Sequence, residues 1–220
     1  MDLIQAMNQR HAVRSYIDKK IEGETAAQLQ NTIAEINEES GLKLQLVLNE
    51  EKAFGGRMAH YGHFENVRNY IAVVGSKDAK LSEKVGYYGE TLVLFAQTLG
   101  LNTCWVALSY DKTEVNYSVD KGEKLALVIA IGYGSMQGVP HKSKYPQDVC
   151  KDFANSPEWF KNGVKAALLA PTAINQQKFS FELKGDEVIA KPGIGFYTKV
   201  DLGIAEYHFE LGAGKKVFNI

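Results

Sequence analysis

The stretch "LLAPTAINQQKFSFEL", residues 168–183, decides how the last third of the chain folds, because it joins a helix to a strand through a polar junction. The apolar helical pattern stops at Ala170 and Pro171, and the alternation typical of a strand begins at Lys178. Between them stand the uncharged hydrogen-bonding residues Thr172, Asn175, Gln176 and Gln177. A turn requires only one or two such residues. The junction is therefore predicted to hold a ligand.

The composition is that of an ordinary globular protein: 220 residues, 45% hydrophobic and 23% charged. A net charge of −1 indicates neither nucleic acid nor an anionic membrane as a partner. Cys104 and Cys150 lie far apart, which argues against a disulfide framework and favours a reducing cytoplasm. The sequence begins without the apolar run of a signal peptide and contains no stretch suited to a membrane span. We expect a cytoplasmic protein.

Working outward from the junction, hydrophobic periodicity predicts helices at 2–8, 24–39, 81–99, 156–170 and 200–211. It predicts strands at 42–48, 70–75, 103–108, 125–132, 178–183 and 187–191. Residues 49–69 are expected to form a long irregular loop of the kind that is often functional. Without a regular βαβ alternation, the class is α+β. We expect one domain over 1–220, with 156–220 packed onto the rest. A helix-then-strand pattern recurs at 24–48 and 157–183, too weakly to predict a repeat.

Two basic segments are candidates for a phosphate site. In "RHAVRSY" (10–16), Arg10 and Arg14 flank His11, and two guanidiniums near a chain bend suit a phosphate. Lys142 and Lys144 of "HKSK" could complete that site. A solvated helix end and a basic surface loop are the respective alternatives. The glycines at 132, 134 and 138 lack the spacing and the following helix of a dinucleotide-binding fingerprint, which excludes that motif.

Two further segments contain reactive residue types. Cys104 and Trp105 in "GLNTCWVALS" (100–109) are interpreted as core packing, because no activating histidine is near the thiol in sequence. His60 and His63 in "AHYGHF" (59–64) could ligate a metal, but no third ligand is evident. We expect aromatic packing in this loop and no metal site.

Taken together, four segments resemble motifs of the FMN-dependent nitroreductase family. "RHAVRSY" is similar to its N-terminal arginine-rich motif, and "GLNTCWVAL" to its GLGTCWIG segment. "IGYGSMQGVPHKSK" resembles its strand and basic phosphate loop, and "APTAINQQ" its APSAxNxQP motif. The similarities are spread over about the whole chain. They imply a nitroreductase-like α+β fold, with a central, mostly antiparallel sheet flanked by helices.

The resemblance implies a phosphate end and a ring end for bound FMN. Arg10 would bind the phosphate, with His11 and Ala12 lining that end, and Lys142 and Lys144 would complete the site. Ala12 stands where the family has serine, so one phosphate hydrogen bond, worth about 1 kcal/mol, would be missing. We therefore expect weaker cofactor retention on purification.

At the ring end, Arg14 would reach the ribityl chain or the pyrimidine edge, where a positive charge stabilises the reduced flavin. Backbone amides near Ala107 and Leu108 would approach the flavin N5 atom. The resemblance also implies a homodimer, in which the partner subunit contributes the residues of the junction. These are Pro171, Thr172, Ala173, Asn175 and Gln177. The motif usually lies early in the chain, so here it could instead bind the flavin of its own subunit.

The implied activity is hydride transfer from NAD(P)H to FMN and then to a small electron-poor acceptor, a nitroaromatic or a quinone, by a ping-pong mechanism. Such chemistry requires no catalytic side chain, and none is predicted. Two alternatives stay open: an FMN-binding sensor or carrier without turnover, and a structural, dimeric interaction protein.

Overall fold

The computed structural model describes all residues from 1 to 220. The helices are Leu3–Gln9 (α1), Gly23–Ser40 (α2), Arg57–Tyr61 (α3), Leu81–Thr98 (α4), Pro146–Val149 (α5), Glu158–Ala167 (α6) and Thr198–Ala213 (α7). The strands are Lys43–Val47 (β1), Tyr70–Ser76 (β2), Asn102–Val106 (β3), Glu123–Gly132 (β4), Phe179–Lys184 (β5) and Glu187–Pro192 (β6). This mixture of helices and antiparallel strands confirms the predicted α+β class. None of the helices combines the length and the apolar character that crossing a membrane requires.

The chain folds into two compact units, each assembled from separate stretches of sequence. We call Arg10–Leu81 with Leu92–Val139 the sheet unit. Met1–Gln9, Ser82–Thr91 and Pro140–Ile220 form the other, which we call the helical unit. The expectation of one domain over 1–220, with 156–220 packed onto the rest, stays a prediction.

The sheet unit contains a four-stranded antiparallel sheet in the order β1-β2-β4-β3. The apolar run of β2 is buried from Tyr70 to Gly75, as expected for a central strand covered on both faces. In α2, the apolar residues at helical spacing are buried, and the helix ends where Gly41 adopts a φ of 68°. The Gly41 N–H bonds to the carbonyl of Asn37, which is the left-handed cap that glycine permits.

The loop between β1 and β2 is more ordered than predicted, because residues 57–61 form the short helix α3. The helix lies between glycines, and Ala59 within it is fully buried in the core of the sheet unit. Phe54 and Phe64 anchor the two sides of the loop, with ring centroids 5.2 Å apart in an edge-to-face arrangement. The predicted aromatic packing is therefore present here.

In the helical unit, α6 and the β5–β6 hairpin pack on α7. The ring of Phe209 on α7 stacks on Phe181 of β5 at 4.9 Å, and Gly163 of α6 lies against the same ring. The predicted helix at 156–170 is shorter than expected. It begins after Pro157, because the Ser156 hydroxyl donates to the Asp152 carbonyl at 2.9 Å instead of capping α6.

Candidate functional site

The "RHAVRSY" segment runs beside β3 in the sheet unit. The Val13 N–H donates to the Thr103 carbonyl at 3.1 Å, and Tyr16 pairs with Gly134, just beyond the end of β4 at Gly132. Val13 and Tyr16 are buried, whereas Arg14 between them is exposed. Arg14 thus presents its guanidinium to solvent and not to the core. Arg10 at the start of the segment is buried.

The chain after β4 passes closely over this segment. A Cβ atom at Gly138 would lie 2.7 Å from the Cβ of His11 and 3.0 Å from the Ala12 carbonyl oxygen. Gly138 also has a φ of 74°, a conformation that favours glycine. Gly138 therefore does not belong to a dinucleotide fingerprint. A glycine is required there because the backbone packs closely against His11 and Ala12.

A concavity of about 370 Å³ opens beside Arg14. It is lined by Arg14, Gly62, His63, Phe64, Trp105, Val106, Ala107 and Ser109. The Arg14 guanidinium lies over the Phe64 ring, 5.9 Å from its centroid. The structure thus brings together Arg14 and Ala107, two of the predicted site residues. Leu108 follows Ala107 and is exposed, beyond the end of β3 at Val106 rather than within a strand as predicted.

The loop containing α3 supplies one wall of this concavity. Gly62 packs so closely that a Cβ there would lie 2.5 Å from the Ser109 Cβ and 2.9 Å from the Phe64 ring. The next residue, His63, has a φ of 59°, an uncommon conformation for a residue with a side chain. The backbone N–H of Phe64 donates to the Ala59 carbonyl at 3.0 Å, which closes the loop.

Sequence reasoning did not assign six of the concavity's residues to the flavin site: Gly62, His63, Phe64, Trp105, Val106 and Ser109. The length and the aromatic content of the loop at 49–69 could have indicated a ligand site. The loop was instead interpreted as aromatic packing or, through its histidines, as metal ligation. No cluster of three or more His, Cys, Asp or Glu side chains is placed to hold a metal ion.

The positive charge near the concavity comes from arginine. Burial raises the pKa of the Cys104 thiol, and the nearby Arg14 and Arg10 charges offset only part of that rise. Burial likewise raises the pKa of Tyr16 well above its usual value. Both groups therefore stay neutral at physiological pH, and Cys104 is not an activated nucleophile. An exposed guanidinium beside aromatic walls suits the electron-rich edge of a planar ligand.

The polar junction belongs to the helical unit and is a strained turn. A short 3₁₀ segment covers Ala173–Asn175, and three residues that are not glycine have left-handed φ angles. The φ values are 48° for Ile174, 55° for Asn175 and 44° for Gln177. A β-branched residue in this conformation is a genuine outlier. Such strain persists only where surrounding interactions fix the backbone.

Hydrogen bonds between the junction and the basic "HKSK" loop provide that support. The Gln177 side chain is buried, and its Nε2 donates to the Lys142 carbonyl at 2.8 Å and to Asn175 Oδ1 at 2.7 Å. Its Oε1 accepts the Lys144 backbone N–H at 2.8 Å. The Lys144 ammonium donates to the Gln177 carbonyl at 2.8 Å, and Asn175 Nδ2 donates to the Lys142 carbonyl at 2.9 Å. The structure thus joins two motifs that the sequence left separate.

These bonds assign a scaffolding role to Gln177. Both N–H groups of its amide are engaged within the chain, and the side chain is only 1% exposed. Thr172 is similarly engaged, because its Oγ1 accepts the Gln177 backbone N–H at 3.0 Å. Asn175 and Lys142 are exposed at the same turn, while Pro171 and Ala173 are partly buried at its entrance. That these residues contact FMN stays a prediction.

A buried acid, Asp201 on α7, holds the junction from the other side. Its Oδ1 accepts the Ala173 N–H at 2.9 Å, and its Oδ2 accepts the Gln176 amide at 2.7 Å. Burial raises the pKa of Asp201 to about 6, and the two hydrogen bonds oppose that rise. Sequence reasoning missed the role of Asp201. An acidic residue within the apolar pattern of the last helix could have indicated a buried carboxylate with hydrogen-bond partners.

The predicted site residues are divided between the two units. The sheet unit contains Arg10, His11, Ala12, Arg14, Ala107 and Leu108. The helical unit contains Lys142, Lys144, Pro171, Thr172, Ala173, Asn175 and Gln177. In the sheet unit, Arg14 and Ala107 line one concavity. In the helical unit, hydrogen bonds join Lys142, Lys144, Asn175 and Gln177 in one turn.

Comparisons with known proteins agree with these motifs. A family model described as "Putative TM nitroreductase" matches residues 2–213. A Thermotoga maritima structure described as a "putative nitroreductase" is 22% identical, with a TM-score of 0.70 over 96% of this chain and 83% of that one. No curated protein matches the chain.

Two shorter structures also have this fold. An FMN-dependent nitroreductase from Clostridium difficile R20291 is 18% identical, with a TM-score of 0.50 over 70% of this chain and 97% of its own. A Parabacteroides distasonis protein described as a "Putative NADH dehydrogenase/NAD(P)H nitroreductase" is 18% identical, with a TM-score of 0.51 over 67% of this chain and 95% of its own. At these identities the likeness establishes the fold, and the predicted nitroreductase-like architecture is confirmed.

Proposed function

This chain belongs to the nitroreductase family whose model matches residues 2–213, and on that premise we propose that it is an FMN-dependent oxidoreductase. The main structural support for this proposal is the concavity beside Arg14. Its volume of about 370 Å³ is within the range of small-molecule sites, which are mostly apolar with a few placed polar groups. The Clostridium difficile relative described as FMN-dependent supports the choice of cofactor.

The residues of the concavity fit a flavin ring. Trp105 and Phe64 offer aromatic surface, and Gly62 and Ala107 offer backbone that an aromatic ring can approach closely. Arg14 supplies a fixed positive charge that could pair with the carbonyl-rich pyrimidine edge. No carboxylate is among the lining residues, so the Arg14 charge is not neutralised within the concavity.

Each group of residues has a separate role in this proposal. Arg14 orients the ring and stabilises the negative charge that reduction places on its pyrimidine edge. Arg10, His11 and Ala12 of the sheet unit hold the phosphate end. In the helical unit, Gln177 fixes the turn of the polar junction. Bound FMN supplies the hydride-accepting chemistry, and the protein supplies position, charge and exclusion of water.

We further propose that the hydride donor is NADH or NADPH and that the acceptor is a small nitroaromatic or quinone, taken in turn at one site. The Parabacteroides distasonis relative, with NAD(P)H in its description, supports the donor. Cys104 and Cys150 are both free thiols, which supports a cytoplasmic location.

Anaerobic titration of the FMN-reconstituted protein tests the activity. We expect NADH or NADPH to bleach the flavin absorbance, and a quinone or nitroaromatic added afterwards to restore it without further nicotinamide. Flavin binding without bleaching would instead support a sensor or carrier. Failure to bind FMN at all would refute the proposed function.

A further inference from the structure

The wall that the α3 loop gives to the concavity contains a histidine. His63 lines the concavity, and its side chain is exposed. The sequence made His63 a candidate metal ligand, but no group of three or more His, Cys, Asp or Glu side chains is placed to hold a metal ion. Neither metal ligation nor core packing therefore accounts for this imidazole.

The backbone on both sides of His63 is fixed. The His63 N–H donates to the His60 carbonyl at 3.0 Å, and the Phe64 N–H donates to the Ala59 carbonyl at 3.0 Å. Just before His63, Gly62 packs too closely on its surroundings for a Cβ atom to fit. These contacts keep His63 at its uncommon φ of 59°. The imidazole thus reaches the concavity from a fixed point of the chain.

His63 is also the one lining side chain that belongs to a class able to lose and regain a proton near neutral pH. An arginine such as Arg14 cannot be deprotonated in proteins, and the Trp105 indole is a hydrogen-bond donor only. Ser109 offers a hydroxyl, and the four other lining residues have no polar side chain. Histidine, by contrast, ordinarily exchanges a proton near neutral pH. Because His63 is exposed, water can resupply that proton.

Reduction of the proposed acceptors consumes a proton as well as a hydride. The bound flavin supplies the hydride with its electron pair. A quinone that takes up only the hydride becomes a hydroquinone monoanion, and a proton on its second oxygen completes the hydroquinone. A nitro group that takes up one hydride and one proton becomes a nitroso group and releases water. In both cases the proton must reach an acceptor oxygen inside the concavity.

We propose that His63 is the general acid that donates this proton. The N–H bond of its imidazolium breaks, an O–H bond forms on the acceptor, and the neutral imidazole regains a proton from water. The role rests on the proposed function, because it concerns acceptor reduction in the same concavity. Reduction of the flavin by NADH or NADPH places no proton on an acceptor oxygen, so His63 acts only in the second half of the turnover.

Separate measurement of the two half-reactions tests this role. FMN-loaded His63→Asn would be reduced anaerobically with NADH or NADPH and then mixed rapidly with menadione, a small quinone. Asparagine tolerates the backbone conformation of His63 but is not an acid. We expect flavin bleaching at the wild-type rate and reoxidation by menadione about 10- to 100-fold slower. This loss is at or below the lower end of general acid catalysis, because water can partly replace the imidazole.

Two controls isolate the proton. Ferricyanide takes up electrons without a proton, so it should reoxidise His63→Asn as fast as the wild type. His60→Gln removes an exposed histidine of the same loop that does not line this concavity. Menadione should reoxidise His60→Gln at the wild-type rate. Equal slowing of ferricyanide and menadione in His63→Asn would overturn the acid role, because the substitution would then act on the flavin itself.

Contact between His63 and the acceptor oxygen has a readout that needs no turnover. Infrared difference spectra of menadione bound to the oxidised, FMN-loaded protein would report its carbonyl stretch, which falls in frequency when the oxygen accepts a hydrogen bond. We expect the lowered frequency in the wild type and in His60→Gln, and its loss in His63→Gly, where glycine accommodates the positive φ. The same frequency in all three proteins would overturn the proposed contact.

Failure of this role and failure of the proposed function give different results. Wild-type protein that binds no FMN, or whose flavin neither nicotinamide bleaches, would refute the proposed oxidoreductase and the role of His63 with it. Normal bleaching combined with wild-type reoxidation of His63→Asn by menadione would leave the oxidoreductase standing and overturn the role of His63 alone.

Discussion

The concavity beside Arg14 and the polar junction at 172–177 differ in how they use their polar groups. In the concavity, the Arg14 guanidinium is exposed and lies over the Phe64 ring. In the junction, the amide of Gln177 is buried and bonded to its own chain. A polar motif can thus lie exposed at a concavity or be buried within a hydrogen-bonded turn. Burial distinguishes the two.

This difference leads to opposite expectations for substitution. Changes in the junction should alter the free energy of unfolding, because its hydrogen bonds maintain a strained backbone. A change at Arg14 should alter ligand affinity and leave stability nearly unchanged, because an exposed side chain contributes little to folding.

The largest effect on stability is expected for Gln177→Leu. The substitution leaves the Lys144 N–H, the Lys142 carbonyl and Asn175 Oδ1 without their bonds to this buried amide. The loss should be roughly 3 kcal/mol in the free energy of unfolding, since unsatisfied buried groups cost about 1–3 kcal/mol each and some will reach water. Urea denaturation measures it.

The matched control is Gln30→Leu on the exposed face of α2, which should change stability by less than about 0.5 kcal/mol. A similar small effect for Gln177→Leu would mean that the junction does not depend on this amide. The proposed contrast, in which changes in the junction alter stability and a change at Arg14 alters ligand affinity, would then be refuted.

An intermediate, pH-dependent effect is expected for Asp201→Asn. Because burial raises the pKa of Asp201 to about 6, the folded state binds this proton more tightly than the unfolded chain does. Its stabilising contribution is fully present below about pH 4 and is lost as pH rises through about 6.

Relative to wild type, the Asn variant should therefore gain roughly 2 kcal/mol of stability between pH 4 and pH 8. Urea denaturation at several pH values measures this difference. If the two proteins had parallel pH profiles, Asp201 would not carry a raised pKa, and its role under the junction would need revision.

The smallest effect is expected for Ile174→Gly. Ile174 is 97% exposed, so little packing is lost, whereas its φ of 48° is strained for a β-branched residue. Glycine relieves the strain at some entropic cost, and the net gain in stability should be about 0.5–1 kcal/mol. Thermal melts would show a higher midpoint. A lower midpoint would mean that Ile174 packs against something in solution.

Local patterns predicted much of the fold. The apolar spacing of α2 and its stop at Gly41 gave boundaries within one residue, because both depend on neighbouring residues only. The start of α6 was misplaced, since Ser156 and Pro157 form a suitable helix start by type while the Ser156 hydroxyl bonds to Asp152 instead. Whether a hydroxyl caps a helix depends on competing acceptors that a pattern does not show.

The candidate site was predictable only in part. Arg14 and Ala107 were singled out through motif resemblance, and the structure places both beside one concavity. The contribution of Gly62 depends on its contact with Ser109, which is 47 positions away along the chain. The burial of Gln177 likewise depends on Lys142 and Lys144. Long-range pairings of this kind have no signature in a single sequence.

The most direct test of the central claim is FMN titration of the Arg14→Ala variant beside Arg57→Ala, which removes an exposed arginine that does not line the concavity. Flavin fluorescence would give the dissociation constants, and urea denaturation would check stability. We predict that Arg14→Ala weakens FMN binding about 10- to 100-fold, as expected for a lost charged hydrogen bond, while its stability stays near wild type. Arg57→Ala should bind FMN as wild type does. Equal FMN affinity in the two variants would contradict the assignment of the concavity as the flavin site.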